Sequence, residues 1–581
     1  MRNLVCGFVL AFASPALCQM TPVADRVAKQ NTLFDEFYEA GLKNSPERAT
    51  SYGDYRYNSL LGQYSLAEIE RQHAEADTFL KRLQAITTDG MSDKDLLSHR
   101  VMERQLQRED INYDLKNFEM PVNQQSGVHT RLADLPLSVP FDSVPHYQDY
   151  ISRLHQIPRV LKQTVDVMRQ GMKDGLMPSQ LVVEKLPGQC EGIIAANPFL
   201  QPTKKFPADF PDADKTRLTD EMTKAANDDV LPAYRKFAEF LRTAYQPKGR
   251  KELSVESLPD GKRRYAEAVK MMTTLNVTPA EVHALGLKEV ERITAEMTDL
   301  AQTEGKDLAS FRHAINEDAK WKPTSEQQIL DDYSKYIHQM EPKLPELFGL
   351  LPKAPVTVEA IPDFAKAEAT HYVAGTPDGK RPGRVVVAVA DPTKRTLVDD
   401  EAIAYHEGVP GHHMQISIAQ TLPDLPKFRL HGFYSAYAEG WALYAEELGK
   451  EIGFYQDPVS DYGRLNSELF RAVRLVVDTG IHNKNWTREQ VIDYMHANDL
   501  NDAMAQTEAD RYIAWPGQAL AYKMGQLTIR KLREEAKAEL GSKFDLKAFH
   551  DELLNGGAMP LDLLQERVHA WIRSQAAGPT P

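Results

Sequence analysis

The stretch that decides how this chain is interpreted is YHEGVPGHHMQ, residues 405–415. It begins like the zinc-binding motif H-E-x-x-H, whose two histidines lie four residues apart on one face of a helix. Position 410, where the second histidine would stand, is a proline, and the next histidines are His412 and His413. The stretch is therefore either a metal site of altered geometry or a turn that contains histidines.

An unbroken helix cannot bring either later histidine to the same ion as His406. Each residue advances an α-helix by about 1.5 Å and about 100°. On such a helix His412 would lie about 9 Å along the axis on a different face, and His413 about 10.5 Å along the axis. Zinc binds a histidine nitrogen at roughly 2.0–2.1 Å, so neither pair could share an ion.

The residues between the histidines can interrupt the helix. Pro410 lacks the amide hydrogen that would bond to the carbonyl of His406, and its ring clashes with that carbonyl. Gly408 and Gly411 supply backbone freedom on either side. We therefore expect a turn at EGVPG that lets His412, rather than His413, return to His406.

Capping signals place helix starts. Thr396 and Asp399 resemble the N-cap and third position of a capping box before LVDDEAIAYHEG, residues 397–408. Thr278 and Glu281 form the same pattern at the start of another helix, with a proline at its first position.

Glu439 is the candidate third ligand. It is the only charged residue between Gly432 and Ala445, in an aromatic helical segment. A carboxylate there is costly to bury unless a cation or a metal pairs with it. Two histidines, one glutamate and one water form a known catalytic zinc site. Glu446 and Glu447 lie near the same face, where they would either support the ligands or be solvated.

The remaining pattern predicts a mostly α fold. Amphipathic helical spacing dominates the chain. The clearest strand is GRVVVAVAD, residues 383–391, which we expect to line a cleft and pair with an extended substrate backbone. Proline-rich breaks occur at 196–212 and 352–363, and a lobe boundary is expected near 350–365 within a single domain of residues 19–581.

Composition restricts the partners. The 581 residues are 42% hydrophobic and 26% charged, and the formal net charge is −14. This is a globular composition. Its acidity argues against binding to nucleic acid or to an anionic membrane surface.

The N-terminus is typical of a secretory signal peptide, residues 1–18. Arg2 precedes an apolar run from Leu4 to Ala13 that is too short to span a bilayer, and small residues precede a cleavage site before Gln19. Leu17 fits a lipoprotein cleavage site poorly. We therefore expect a soluble periplasmic or secreted protein without a membrane-spanning segment. The mature chain would keep only Cys190, and so would have no internal disulfide.

Four motifs together resemble the bacterial family known as domain of unknown function 885. They are YHEGVPGHHMQ, AYAEGWALYAEELG, RAVRLVVDTGIHNKNW and RYIAWPGQALAYKMGQ. The resemblance extends over nearly the whole mature chain, and the family is itself similar to gluzincin metallopeptidases such as angiotensin-converting enzyme and the helical oligopeptidases. It implies a large, mostly helical, two-lobed zincin-like fold around a deep cleft, with a small β-sheet beside the zinc helix.

The resemblance also implies a reaction class, the zinc-dependent hydrolysis of an amide bond, without identifying a substrate. Our first interpretation is a secreted or periplasmic zinc metallopeptidase that cleaves short peptides. One zinc ion per chain would be held by His406, His412 and Glu439, with Glu407 as general base and then acid. Tyr522 is the first candidate for stabilising the oxyanion, because related enzymes use a tyrosine, although it could be an ordinary core residue.

Other candidates remain open at this point. His482 is a second oxyanion donor, or else a cap or supporting group. Arg511, Arg381 and Arg474 could each bind a substrate carboxylate or form a structural ion pair. His550 is not assigned a role. The alternative functions are a zinc amidohydrolase acting on a non-peptide amide and a binding protein that has lost activity. The intact Glu407 speaks against the latter.

Overall fold

The computed structural model describes residues 21–361, 369–376, 381–392 and 395–577. This part of the chain is mostly helical and contains one small sheet, as the sequence predicts. The expected signal peptide lies outside the described residues, as does part of the loop that precedes the predicted strand. No helix in the described ranges is long and apolar enough to cross a membrane.

The first thirteen α-helices are α1 Val23–Asn44, α2 Pro46–Ser51, α3 Leu66–Gln84, α4 Asp93–Asp114, α5 Val128–Ala133, α6 Leu135–Ser138, α7 Val144–Asp174, α8 Gln180–Val183, α9 Leu186–Ala196, α10 Asp212–Ala225, α11 Leu231–Phe240, α12 Gly261–Thr273 and α13 Pro279–Thr303. The next thirteen are α14 Leu308–Glu317, α15 Glu326–Met340, α16 Leu344–Leu347, α17 Asp400–Glu407, α18 His412–Thr421, α19 Lys427–Leu430, α20 Ser435–Glu451, α21 Pro458–Lys484, α22 Arg488–Ala497, α23 Asp502–Ala514, α24 Ala521–Leu540, α25 Leu546–Leu554 and α26 Leu561–Ala577. The strands are β1 Val356–Ala360, β2 His371–Val373 and β3 Gly383–Val387.

Hydrophobic packing divides the helices among three cores. A small core joins α1, α3 and α4, and a second takes residues from Leu61 to Tyr245. The third core includes residues on both sides of 350–365 and extends to Ile572. The expected lobe boundary near 350–365 stays a prediction, since one hydrophobic core can extend through two lobes. Cys190 is buried, and burial raises the pKa of its thiol to about 12.

The sheet has the order β1-β3-β2, with β1 parallel and β2 antiparallel to the central strand. The predicted strand at 383–391 exists but ends at Val387. Because β3 has a neighbour along both edges, its backbone is already hydrogen-bonded. The expectation that this strand pairs with a substrate is therefore wrong. The outer edges of the described sheet belong to β1 and β2.

Two helices approach each other backbone to backbone near the site. A Cβ atom placed on Gly525 of α24 would lie 1.9 Å from the carbonyl oxygen of Ala436, and one on Gly440 of α20 would lie 2.3 Å from the Cα of Gly525. Only glycine fits at such a contact. This contact fixes the position of α20, which contains Glu439.

Candidate metal centre

The helix is interrupted where the sequence predicts. α17 ends at Glu407 and α18 begins at His412. A Cβ atom on Gly411 would lie 2.0 Å from the carbonyl oxygen of His406, so the turn requires glycine at this position. The turn removes the axial separation that an unbroken helix would impose between the two histidines.

The start of α17 differs from the prediction. The helix begins at Asp400, and Asp399 occupies the position before it, so the expected capping box at Thr396 is wrong. The Thr396 hydroxyl instead accepts from the amide of Val398 and donates to the carbonyl oxygen of Trp321. This contact with a distant segment holds residue 396 outside the helix. The capping box of Thr278 and Glu281 is confirmed.

The structure brings His406, His412 and Glu439 together. Nε2 of His406 lies 3.5 Å from Oε2 of Glu439, and Nε2 of His412 lies 3.4 Å from the same oxygen. One ligand atom from each of the three residues lies within 4.8 Å of the other two. The two imidazole rings are nearly perpendicular, with centroids 4.9 Å apart. The three side chains thus point their donor atoms at a common volume.

His413 faces away from this group. Its Nε2 donates to the carbonyl oxygen of Ala354, and its Nδ1 accepts from the hydroxyl of Tyr372 in β2. Burial lowers the pKa of the His413 ring to about 4. His413 therefore attaches α18 to the sheet, while its neighbour His412 belongs to the group of donors.

Glu446 supports the group from the same helix as Glu439. Nδ1 of His406 donates to Oε1 of Glu446 over 2.7 Å, and both side chains are almost completely buried. Burial lowers the pKa of His406, but hydrogen bonds to Glu439 and Glu446, together with the charge of Glu407, raise it to about 9. For Glu439, burial raises the pKa, but the two histidines bring it far below its usual range.

The three donors fit a zinc ion. Two ligands bound tetrahedrally at 2.0–2.1 Å lie roughly 3.4 Å apart, which matches the two measured distances to Oε2 of Glu439. The bond to Glu446 occupies Nδ1 of His406 and leaves Nε2 directed at the common volume, an orientation typical of zinc-binding histidines. Glu407 follows His406 directly and is 8% exposed.

Tyr522 lies on α24, the helix packed against α20. Its ring lies against the guanidinium of Arg474, 4.6 Å from ring centroid to Cζ, and its hydroxyl is 3.5 Å from Nη2 of Arg511. Both arginines form ion pairs with Glu508, at 3.1 and 3.3 Å. Arg474 and Arg511 thus form structural ion pairs, which is the alternative to substrate binding that the sequence left open.

The remaining candidates lie in other surroundings. His482 is fully buried; its Nδ1 accepts from the amide of Val255 and its Nε2 donates to the carbonyl oxygen of Tyr512. With both ring nitrogens bound to backbone, His482 has none left for a substrate, so its assignment as an oxyanion donor is wrong. His550 is also buried and bonded at both nitrogens. Arg381 is exposed in a loop.

Sequence reasoning missed one contact that fixes the turn. The indole nitrogen of Trp441 donates to the carbonyl oxygen of Pro410 over 2.9 Å. Trp441 lies two residues after Glu439 on α20. One helix therefore supplies both a candidate metal ligand, Glu439, and the hydrogen bond that holds the turn. The sequence shows that this segment is rich in aromatic residues, but this does not predict which atom the Trp441 indole contacts.

The fold and the site define a class: a mostly helical protein whose α17, α18 and α20 converge on a largely buried His-His-Glu group. The chain belongs to the family described as "Bacterial protein of unknown function (DUF885)", whose model matches residues 46–568. This confirms the family that the sequence motifs resemble.

Two solved structures are similar over nearly the whole chain. One is a crystal structure of a "putative lipoprotein" from Colwellia psychrerythraea, with 29% identity, a TM-score of 0.88, and coverage of 94% of this chain and 99% of that one. The other is a "putative lipoprotein of unknown function" from Shewanella oneidensis, with 18% identity, a TM-score of 0.73 and the same coverage, and it shows the fold alone. No curated protein matches the chain.

Proposed function

We propose that this protein is a zinc-dependent hydrolase that cleaves amide bonds of short peptides outside the cytoplasm. The observation that carries the proposal is the convergence of Nε2 of His406, Nε2 of His412 and Oε2 of Glu439 on one volume. These side chains would hold one zinc ion, which supplies Lewis-acid chemistry to a scissile carbonyl when bound.

Glu407 would do the proton chemistry. It adjoins His406 and keeps 8% of its surface exposed, and the proposal requires that its carboxylate contact the attacking water. In this role it takes a proton from the attacking water and passes it to the leaving amine. Tyr522 is the proposed donor to the developing oxyanion, a role that rests on the family resemblance and on its place on α24.

A peptide substrate is supported by the sheet. β2 is an edge strand of the described sheet, and its Tyr372 bonds His413, the residue next to the donor His412. An extended peptide added to β2 would therefore run beside α18. A location outside the cytoplasm is supported by the signal-like N-terminus and by the description of the Colwellia psychrerythraea relative as a "putative lipoprotein".

Zinc analysis of the purified protein tests the metal. We expect one zinc per chain, lost in His406→Ala and His412→Ala and kept in the matched control His413→Ala, whose ring faces the sheet. Absence of zinc from the wild-type protein, or equal zinc in all three variants, would refute the site.

Cleavage of a peptide library and of non-peptide amides tests the reaction. Glu407→Gln should keep its zinc and lose hydrolysis by about 100-fold or more, the contribution typical of a general base. Turnover of non-peptide amides alone would favour the amidohydrolase, and zinc binding without turnover of either class would favour a binding protein.

A further inference from the structure

An open cavity of about 500 Å³ lies between the N-terminal helices and the segment that leads into α20. α1, α3 and α4 form one side, and residues 428 and 431–434 form the other. None of His406, Glu407, His412 and Glu439 lines it. Its size lies within the range of sites for small molecules. The cavity is therefore a separate place in the molecule where a ligand could be held.

Two stacked aromatic pairs form part of the wall. The rings of Tyr52 and His431 lie parallel with centroids 3.8 Å apart, and those of His73 and Tyr113 with centroids 3.7 Å apart. Burial lowers the pKa of His431, which favours its neutral form. The pairs give the cavity flat surfaces suited to an aromatic ring.

Two arginines at the cavity form no ion pair with a described residue. Within the described ranges, the side chains of Arg48 and Arg108 make no hydrogen bond or ion pair, and Arg108 only lies over the ring of Tyr434. On the same helix α4, Arg100 and Arg104 are paired with acidic residues of α26. In a chain of net charge −14, two guanidinium groups without an ion-pair partner beside one cavity are available to an anion.

The acids of the wall do not cancel these arginines. The carboxylate of Glu75 accepts a hydrogen bond from the side-chain amide of Asn44 and forms an ion pair with Arg71. Glu109 is exposed at the surface and accepts a 3.5 Å hydrogen bond from the side-chain amide of Gln105. One carboxylate thus opposes two guanidinium groups.

We propose that this cavity binds a small molecule that carries a carboxylate and an aromatic ring. The carboxylate pairs with Arg108 and Arg48, because guanidinium groups bind carboxylates in a planar, often bidentate manner. The ring lies against the aromatic wall. Such a ligand is either a free aromatic acid or the C-terminal residue of a peptide. Binding at this cavity does not require the candidate metal centre, whose residues do not line it.

Calorimetric titration of the full chain tests the ligand class. 3-Phenylpropionate should bind at least about tenfold more tightly than 3-phenylpropanamide, which keeps the ring and lacks the charge. Glycyl-phenylalanine and its C-terminal amide form the second arm. Tighter binding of the dipeptide acid than of phenylpropionate identifies a peptide end, and the reverse identifies a free acid. Absent binding of both acids, or equal binding of acids and amides, overturns the proposal.

Adjacent variants on α4 locate the ligand. Arg108→Gln should weaken binding of the preferred acid about tenfold or more, since it removes a charged hydrogen bond. Glu109→Gln should strengthen it, because it removes the opposing carboxylate. Arg100→Gln, which breaks a surface ion pair outside the cavity, should leave it unchanged. Opposite shifts at neighbouring positions cannot come from general unfolding. Unchanged binding in Arg108→Gln would overturn the assignment.

Discussion

The Nδ1 atom of His406 lies 2.7 Å from Oε1 of Glu446 in the interior of the protein. This bond fixes the orientation of the ring and keeps a proton on Nδ1. The other nitrogen is thereby directed at Glu439, as a metal ligand would be. Glu446 would not itself bind the metal, but it fixes the ring orientation of His406, which would.

Replacing Glu446 should weaken metal binding. Glu446→Ala removes the acceptor for the His406 ring, and losses of about 10–100-fold in metal affinity are typical of such changes. The measurement is competition with a zinc chelator of known affinity. Glu447→Ala is the matched control, because the Glu447 carboxylate lies 3.6 Å from Arg530 and outside the group of donors. Equal zinc affinity of Glu446→Ala and wild type would contradict this role.

Gly411→Ala should destabilise the turn between α17 and α18. The added methyl group would meet the carbonyl oxygen of His406, and such overpacking costs about 1–3 kcal/mol in the free energy of unfolding. Urea denaturation measures the loss, and zinc affinity should fall with it. Gly41→Ala is the control, since a Cβ on Gly41 of α1 has no atom within 4 Å. That control should be neutral or stabilised by up to about 1 kcal/mol.

Asp478 should make the protein less stable as pH rises. Burial raises its pKa to about 7, although hydrogen bonds from Tyr265 and Gly517 and the charge of Arg511 lower it. An unfolded aspartate titrates near about pH 3.9. Between about pH 4 and 7 the folded state binds the proton more tightly, so stability falls as pH rises, by at most about 1.4 kcal/mol per pH unit.

The isosteric change Asp478→Asn tests this directly, because asparagine keeps an acceptor for both bonds and does not ionise. Urea unfolding of both proteins should show the stability of the variant, relative to wild type, rising from pH 4 to pH 7 and constant above that range. A difference that does not vary with pH would show that Asp478 titrates alike in the folded and unfolded states.

His482→Ala should reduce stability and leave zinc content unchanged. The change leaves the buried carbonyl of Tyr512 and the partly buried amide of Val255 without their partner, and the loss at the buried carbonyl alone costs about 1–3 kcal/mol. Thermal unfolding measures the loss.

Tyr522→Phe is the contrasting variant: under the proposed function, turnover should fall with little change in stability. Loss of turnover in His482→Ala at wild-type stability would restore a catalytic role.

Local geometry explains what could be predicted from the sequence. Pro410 and Gly411 act on the residues next to them, so the interrupted helix follows from backbone sterics alone. Glu439 is conspicuous because a single carboxylate in an aromatic helix needs a partner. The capping box of Thr278 is likewise contained in four residues.

Contacts between distant segments explain what could not be predicted. Thr396 is held outside α17 by Trp321, 75 residues earlier in the chain. β3 lies at the centre of the sheet because two short strands with weak sequence signals flank it. The close approach of Gly440 and Gly525 depends on the packing of two helices 85 positions apart, and no pattern within either helix reveals the pairing.

Two helix ends of opposite polarity, at Glu407 and His412, are separated by only four intervening residues. Aligned peptide dipoles leave about half a negative elementary charge at the C-terminus of a helix and about half a positive one at an N-terminus. The end of α17 and the start of α18 therefore largely offset each other beside the donors. An unbroken helix would place neither end there. A cation placed at this centre would therefore be stabilised mainly by the carboxylates of Glu439, Glu446 and Glu407, because the charges of the two helix ends largely cancel.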